Sequence, residues 1–159
     1  MKYTTMPSPM GTLYITCQGD AITGLWIDGQ AHFPDLSNFQ KCDDEPALMA
    51  AKLWIGRYLQ GEKPDPKDLL LMPEGTPFQR KVWDQLKTIP YGQTVSYGQI
   101  ASAIGKPKAF QAVGNAIGRN PISIIIPCHR VIGSDGRLTG YAGGLPAKQY
   151  LLELESHYI

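Results

Sequence analysis

Two four-residue signatures constrain this chain more tightly than anything else in it: Thr76-Pro77-Phe78-Gln79 and Ser96-Tyr97-Gly98-Gln99. Each is a capping box, in which the N-cap hydroxyl takes a free backbone N–H and the glutamine side chain reaches back to the N-cap N–H. Pro77 suits the first helical position, where a missing N–H leaves nothing unpaired. Phe78, Val82 and Leu86 then recur at i, i+4, i+8 until Ile89-Pro90-Tyr91-Gly92 ends the first helix. Tyr97, Ile100, Ala101 and Ile104 stripe the second. After the turn Gly105-Lys106-Pro107, a third helix carries Ala109, Ala112, Val113, Ala116 and Ile117 on one side. Short helices around a tight glycine-containing turn describe a helix-turn-helix, although helix pairs that bind nothing share the pattern.

The helix over 108–118 is rich in small residues: Ala109, Ala112, Gly114, Ala116 and Gly118. Small side chains serve tight packing between helices, or admit the helix to a groove of DNA. Charge leaves the same question open. Residues 1–74 carry six basic and ten acidic groups, whereas residues 75–159 carry nine basic groups against Asp84, Asp135, Glu153 and Glu155. A basic second half suits phosphate contacts, and an ordinary basic surface nearly as well.

The first half reads differently. Segments 12–17 (TLYITC) and 22–27 (ITGLWI), joined by Gln18-Gly19-Asp20, predict a β-hairpin. A helix follows from Pro46 through Leu59, with Leu48, Ala51, Leu53, Ile55 and Leu59 on its apolar face. Gly61-Glu62-Lys63-Pro64-Asp65-Pro66 breaks it, and no catalytic constellation precedes residue 74. These signals divide the chain into a supporting domain, 1–74, and a functional domain, 75–159. With 43% hydrophobic and 18% charged residues the chain is globular, and neither a membrane-length apolar run nor a signal-peptide pattern is present. A soluble cytoplasmic protein is the expectation. Cys17, Cys42 and Cys128 are odd in number and widely spaced, which predicts neither a disulfide framework nor a structural zinc site.

The chemistry concentrates in Ile126-Pro127-Cys128-His129-Arg130-Val131, after the apolar run Ile122-Ser123-Ile124-Ile125-Ile126, which reads as a buried strand. Cys128 is either a small core residue or a nucleophile beside a base. A free thiol is only a few per cent ionised near neutrality, so cysteine chemistry needs a base or a positive field. In an extended segment Cys128 and His129 point to opposite faces, so His129 acts through a bend or a bridging water. A base in turn wants an orienting acceptor. The candidate is Glu155, on a final helix begun by Pro146 that turns Tyr150, Leu151, Leu154 and Tyr158 toward a core.

Residues 120–155, NPISIIIPCHRVIGSDGRLTGYAGGLPAKQYLLELE, together with GTPFQRKVWDQLKTIPYGQTVSYGQIA over 75–101, resemble the O6-alkylguanine-DNA alkyltransferases, also called methylated-DNA–protein-cysteine methyltransferases. The PCHR core is highly diagnostic in that setting. The resemblance implies an α+β protein: an N-terminal RNase-H-like α/β domain, then a mostly helical C-terminal domain with a helix-turn-helix. It implies irreversible, single-turnover transfer of an alkyl group from O6-alkylguanine, and possibly O4-alkylthymine, in double-stranded DNA to Cys128, after the base is flipped from the stack. Carried over by position, His129 draws off the thiol proton through a water, Glu155 orients His129, and Asn120 bonds within the active-site turn. Tyr97 donates toward the departing guanine, with Lys148 nearby. Tyr141, Ala142 and Gly143 line the base pocket, Gly114 permits minor-groove entry, and Arg119 or Lys108 holds phosphates. Gln111 stands where relatives usually place an arginine that fills the gap left by the flipped base. No cofactor and no metal are implied, and the expected state is a monomer, nucleoid-associated when on DNA. Three rivals remain: a lesion-binding module that transfers nothing, which would lack the acceptor cysteine; a helix-turn-helix transcription factor, which would not explain Pro127-Cys128-His129-Arg130; and a cysteine hydrolase that turns over.

Overall fold

The computed structural model describes residues 1–136, 138 and 140–158. Thr139 and Arg137, which belong to the expected small-residue loop and to the basic count, lie outside them. Three consecutive strands, β1 (Lys2–Met6), β2 (Leu13–Gln18) and β3 (Ala21–Ile27), pair antiparallel, and the two-residue β4 (Gln40–Lys41) joins β1 in parallel. The order is β3-β2-β1-β4. The expected hairpin is thus present, with Gly19 at φ 58° in its turn, a conformation open to glycine because it has no Cβ. One face of the sheet buries Leu13, Ile15, Ile22 and Leu25.

Helix α1 (Pro46–Leu59) covers that face with Leu48, Ala51, Trp54, Ile55 and Tyr58. The predicted stripe through Leu53 is displaced: Leu53 is 68% exposed, and the helix instead buries Trp54 and Tyr58, whose rings stack 5.8 Å apart. An i, i+4 aromatic pair buries more apolar area than one leucine, so it sets the rotation of the helix.

Both capping boxes form as read. Thr76 and Ser96 each accept from the N–H of their N3 glutamine, and each glutamine returns a bond to the N-cap, opening α2 (Pro77–Leu86) and α3 (Tyr97–Ala103). The next helix, α4 (Phe110–Gly118), starts two residues later than expected, because Lys106–Ala109 closes as a turn. Val113, Ala116 and Ile117 are buried as predicted, but Ala112 faces solvent. The indole of Trp83 donates to the carbonyl of Ala116 at 2.8 Å, fixing α2 against α4. Helix α5 (Leu145–His157) closes the chain; Tyr158 lies beyond it and is 42% exposed rather than in the core.

The apolar run is not a strand. Only Ile122 bridges to Leu25 of β3, where the Leu25 N–H donates to Pro121 and the Ser123 N–H to Leu25. The chain then coils through tight turns with Ile124 at φ 73°, and Cys128–Arg130 forms one 3₁₀ turn before β6 (Val131–Ile132), which pairs in parallel with β5 (Val95–Ser96). Every residue from 121 to 130 is buried, so the apolar character reports burial on all sides, which a turn satisfies as well as a strand. The Leu25 bridge makes the two halves share one core, and the architecture is α+β. Among the described residues no helix is long and apolar enough to cross a membrane.

Candidate active site

The site is built on the turn between Asn120 and Arg130. The Asn120 amide donates to Ile126 O at 2.9 Å and to Ile122 O at 3.4 Å, and its oxygen accepts from the Ile122 N–H at 3.0 Å. One buried side chain therefore clamps both ends of the coil and holds Ile124 in a left-handed conformation costly for a β-branched residue.

The clamp delivers Cys128 to a nearly closed environment: the residue is 3% exposed. Burial pushes its thiol up to about 11, while the Asn120 side chain, the Lys148 charge and the Tyr141 hydroxyl pull the other way. Lys148 is buried too, and its ammonium donates to Val131 O at 2.6 Å. Desolvation lowers its affinity for a proton, opposed by the nearby sulfur. The Tyr141 hydroxyl faces Ser123 and Cys128 without reaching either at full hydrogen-bond geometry. Cys17 and Cys42 are also free thiols; burial raises the Cys17 thiol, and Cys42 donates to the Asp44 carboxylate at 3.0 Å, which raises its own.

His129 is fully buried, and its Nε2 lies 2.6 Å from Oε2 of Glu155. Burial lowers its proton affinity against the raising influence of Glu155, so the ring is neutral at pH 7 and carries one proton. The carboxylate claims that proton for Nε2, which leaves the Nδ1 lone pair unpaired inside the protein. Orientation of a base by an acid on its far nitrogen is how imidazoles are set to receive a proton. Since the pair lies in a 3₁₀ turn rather than an extended segment, both side chains are buried together and not sent to opposite faces.

Glu155 collects more donors than its role as an orienter requires. Oε1 accepts from Arg130 Nε at 2.8 Å and the Gly92 N–H at 3.0 Å; Oε2 accepts from His129, from Arg130 Nη2 at 3.0 Å, and from the Tyr58 hydroxyl. Burial would raise this carboxyl, but the hydrogen bonds from His129 and Arg130, with the Arg130 charge, outweigh it and hold the group well below the ordinary carboxylate range. Arg130 reaches onward to Ile89 O at 2.7 Å. Sequence reasoning assigned no role to Tyr58 or Arg130. For Arg130 a signal existed, since an arginine beside a buried histidine needs a carboxylate. Tyr58 offered none: it reads as half of an aromatic core pair.

The remaining candidates divide into a loop and a surface. Ala142 O accepts from the Ala31 N–H at 2.9 Å, and a Cβ on Gly143 would fall 2.6 Å from Ile27 Cδ1, so the loop carrying Tyr141–Gly143 is seated on the end of β3. Tyr97, half-buried at the start of α3, lies over Gly114, where an added Cβ would sit 3.8 Å from its ring. Gln111 and Arg119 are exposed on α4, and Lys108 on the turn before it. Together these place Cys128, His129, Glu155, Asn120, Lys148 and Tyr141 in one buried cluster, with Gln111, Arg119 and Lys108 outside it. Among the described residues no group of three or more His, Cys, Asp or Glu side chains is arranged to hold a metal.

Comparison with known proteins agrees across the chain. Residues 77–157 match the DNA-binding domain of 6-O-methylguanine DNA methyltransferase, and residues 1–70 its ribonuclease-like domain. The methylated-DNA–protein-cysteine methyltransferase of Methanosarcina barkeri is 61% identical over 99% of this chain and 98% of its own. The Haemophilus influenzae protein of the same name is 45% identical over 98% and 86%. The crystal structure of Mycobacterium tuberculosis OGT in complex with DNA superposes with a TM-score of 0.91 at 44% identity, over 99% of this chain and 94% of that one. With both halves matched and relatives aligned nearly end to end, the chain belongs to the 6-O-methylguanine DNA methyltransferase family.

Proposed function

We propose that this protein repairs DNA by moving an alkyl group from O6-alkylguanine, and O4-alkylthymine where it fits, onto Cys128, once per molecule. The observation that carries the reading is the neutral His129, whose Nε2–H is held by Glu155 while Nδ1 keeps a free lone pair in the turn that presents Cys128. The thiol proton moves to His129. The sulfur then attacks the alkyl carbon in line as the O6–C bond breaks, and the electron pair stays on the guanine oxygen. Tyr97 returns a proton to the departing base with Lys148 beside it, so atoms and charge balance overall. A thioether is a very poor leaving group, so the protein acts once and is consumed.

Residues 75–159 bind DNA and carry the chemistry, and residues 1–74 support them. Tyr141, Ala142 and Gly143 line the pocket for the flipped base. Gly114 lets α4 approach the minor groove, Arg119 and Lys108 meet phosphates, and Gln111 stands in the gap left by the base. The protein works as a cytoplasmic monomer that joins the nucleoid when bound to DNA. Intact mass spectrometry after incubation with duplex DNA containing O6-methylguanine tests this. The expected result is a gain of one CH₂ on Cys128, absent in Cys128→Ala. An unchanged mass in a folded preparation overturns the reading, and repeated turnover without adduct would instead indicate a hydrolase.

A further inference from the structure

The hydroxyl of Tyr58 belongs to α1, within the half of the chain that otherwise supports the site only by seating the turn at 121–123 and the loop at 141–143, yet it donates to the same Glu155 oxygen that holds His129. The two donors also approach each other, at 3.4 Å. A carboxylate offers about four lone-pair positions, and this one meets five N–H and O–H groups. Donors on one oxygen compete for its charge, so each weakens the hold on the others.

We propose that Tyr58 is a positioning residue that restrains the basicity of His129 by sharing Oε2 of Glu155, a claim resting on the Cys128–His129–Glu155 relay proposed above. The groups facing this cluster are Arg130 and His129 from the 3₁₀ turn, Lys148 and Glu155 from α5, Cys128, and Tyr91, whose ring lies under the Arg130 guanidinium at 5.6 Å. Among the hydroxyls of the described residues, that of Tyr58 bonds the carboxylate. Burial and the Glu155 charge push its ionisation far above neutral pH, so it remains a donor throughout. Removing the hydroxyl leaves Glu155 with more charge for the His129 proton. The imidazolium gains, and with it the thiolate–imidazolium form of the pair.

Tyr58→Phe retains the ring that stacks on Trp54 and meets Tyr91 edge-on. Its effect has a distinctive form. The rate of Cys128 alkylation on the neutral plateau rises roughly 3- to 10-fold, and the acidic limb of the pH–rate profile moves up by about 0.5–1 unit, the size of one hydrogen bond to a charged group. Rates below the limb do not change, because there both the gain in thiolate and the loss to protonated His129 scale with the same basicity. A residue that only packs would lower the rate evenly or not at all.

The experiment follows alkylation of Cys128 by iodoacetamide and by O6-methylguanine duplex across the acid-to-neutral range, resolved by peptide mass so that Cys17 and Cys42 do not contribute. NMR titration of His129 in Cys128→Ser and in Cys128→Ser/Tyr58→Phe reads the basicity directly. A raised plateau, a shifted limb and a raised His129 titration support the proposal. An unmoved limb and titration overturn it. If instead Cys128 in the parent takes no alkyl group from DNA, the relay reading has failed, and the His129 titration still decides the role of Tyr58.

Discussion

Truncating Asn120 to alanine should loosen the turn and slow the thiol together. The amide makes three bonds to the turn, and its loss leaves the Ile122 N–H and Ile126 C=O buried with no side-chain partner. The Ile122 N–H is orphaned outright, at roughly 1–3 kcal/mol, whereas Ile126 C=O keeps the Cys128 N–H at 2.8 Å and loses only its second donor. Some of that is recovered if Ile124 relaxes from its left-handed conformation, which itself costs about 1–2 kcal/mol. The net loss is about 2 kcal/mol, which in a domain of this size lowers Tm by roughly 4–8 °C. Asn120 also pulls the Cys128 thiol down from its raised value, so its removal decreases the thiolate fraction. Differential scanning calorimetry gives the first effect, and iodoacetamide labelling of Cys128 at neutral pH gives the second. Asn120→Asp is the control: it preserves the bond from the Ile122 N–H but sets a carboxylate oxygen against Ile126 O and near the sulfur, so labelling should slow further. A Tm within about 2 °C of the parent would show that apolar packing, not the amide, holds the turn.

Glu155→Gln leaves the Arg130 guanidinium buried without its countercharge and should cost about 3–5 kcal/mol near neutral pH by urea unfolding. Because the folded carboxyl lies below its ordinary value of 4.5, its stabilisation is complete above 4.5 and fades as the pH falls further; the gap between parent and variant should therefore narrow in acid, and a constant gap would assign the cost to shape alone. Gly143→Ala should slow transfer from DNA by crowding Ile27 and the Tyr141 ring, and Ile27→Val, which removes the nearer Cδ1 atom, should restore it in part; no rescue at all would place the cost on Tyr141, 2.8 Å from the added Cβ. Gln111→Arg adds a cation to the exposed face of α4, so the rate on alkylated duplex should rise while iodoacetamide labelling stays constant, and no gain on duplex would refute a role for that position in holding DNA.

What could be read from the sequence was local. The capping boxes at Thr76 and Ser96 act over three residues, and both formed as read. The hairpin was legible from alternation and its glycine turn. The path of residues 122–126 was not, because four buried isoleucines around one serine look alike in a strand and a coil, and the decision lies with Asn120 and with the docking of Ile122 on Leu25. Residues 128, 129 and 155 were named in advance, yet spacing alone left a buried structural cysteine as open as a nucleophile; the surrounding pattern of residues made the choice. Tyr58 escaped notice because its partner lies 97 positions away and its neighbours along α1 explain its burial without any appeal to chemistry.

The donors around Glu155 come from α1, from the loop at Gly92 and from the turn at His129 and Arg130, while the carboxylate itself stands on the last helix. No local piece of the chain can satisfy that carboxylate, so a misassembled molecule carries a buried, unmatched charge and is a poor competitor in folding. For a protein spent in a single reaction, each repair event requires a newly made copy, and there is no second turnover in which a defective one can be averaged away. Tying the assembly of the fold and the alignment of the base to one carboxylate works as an inspection step: molecules that satisfy it arrive ready to react.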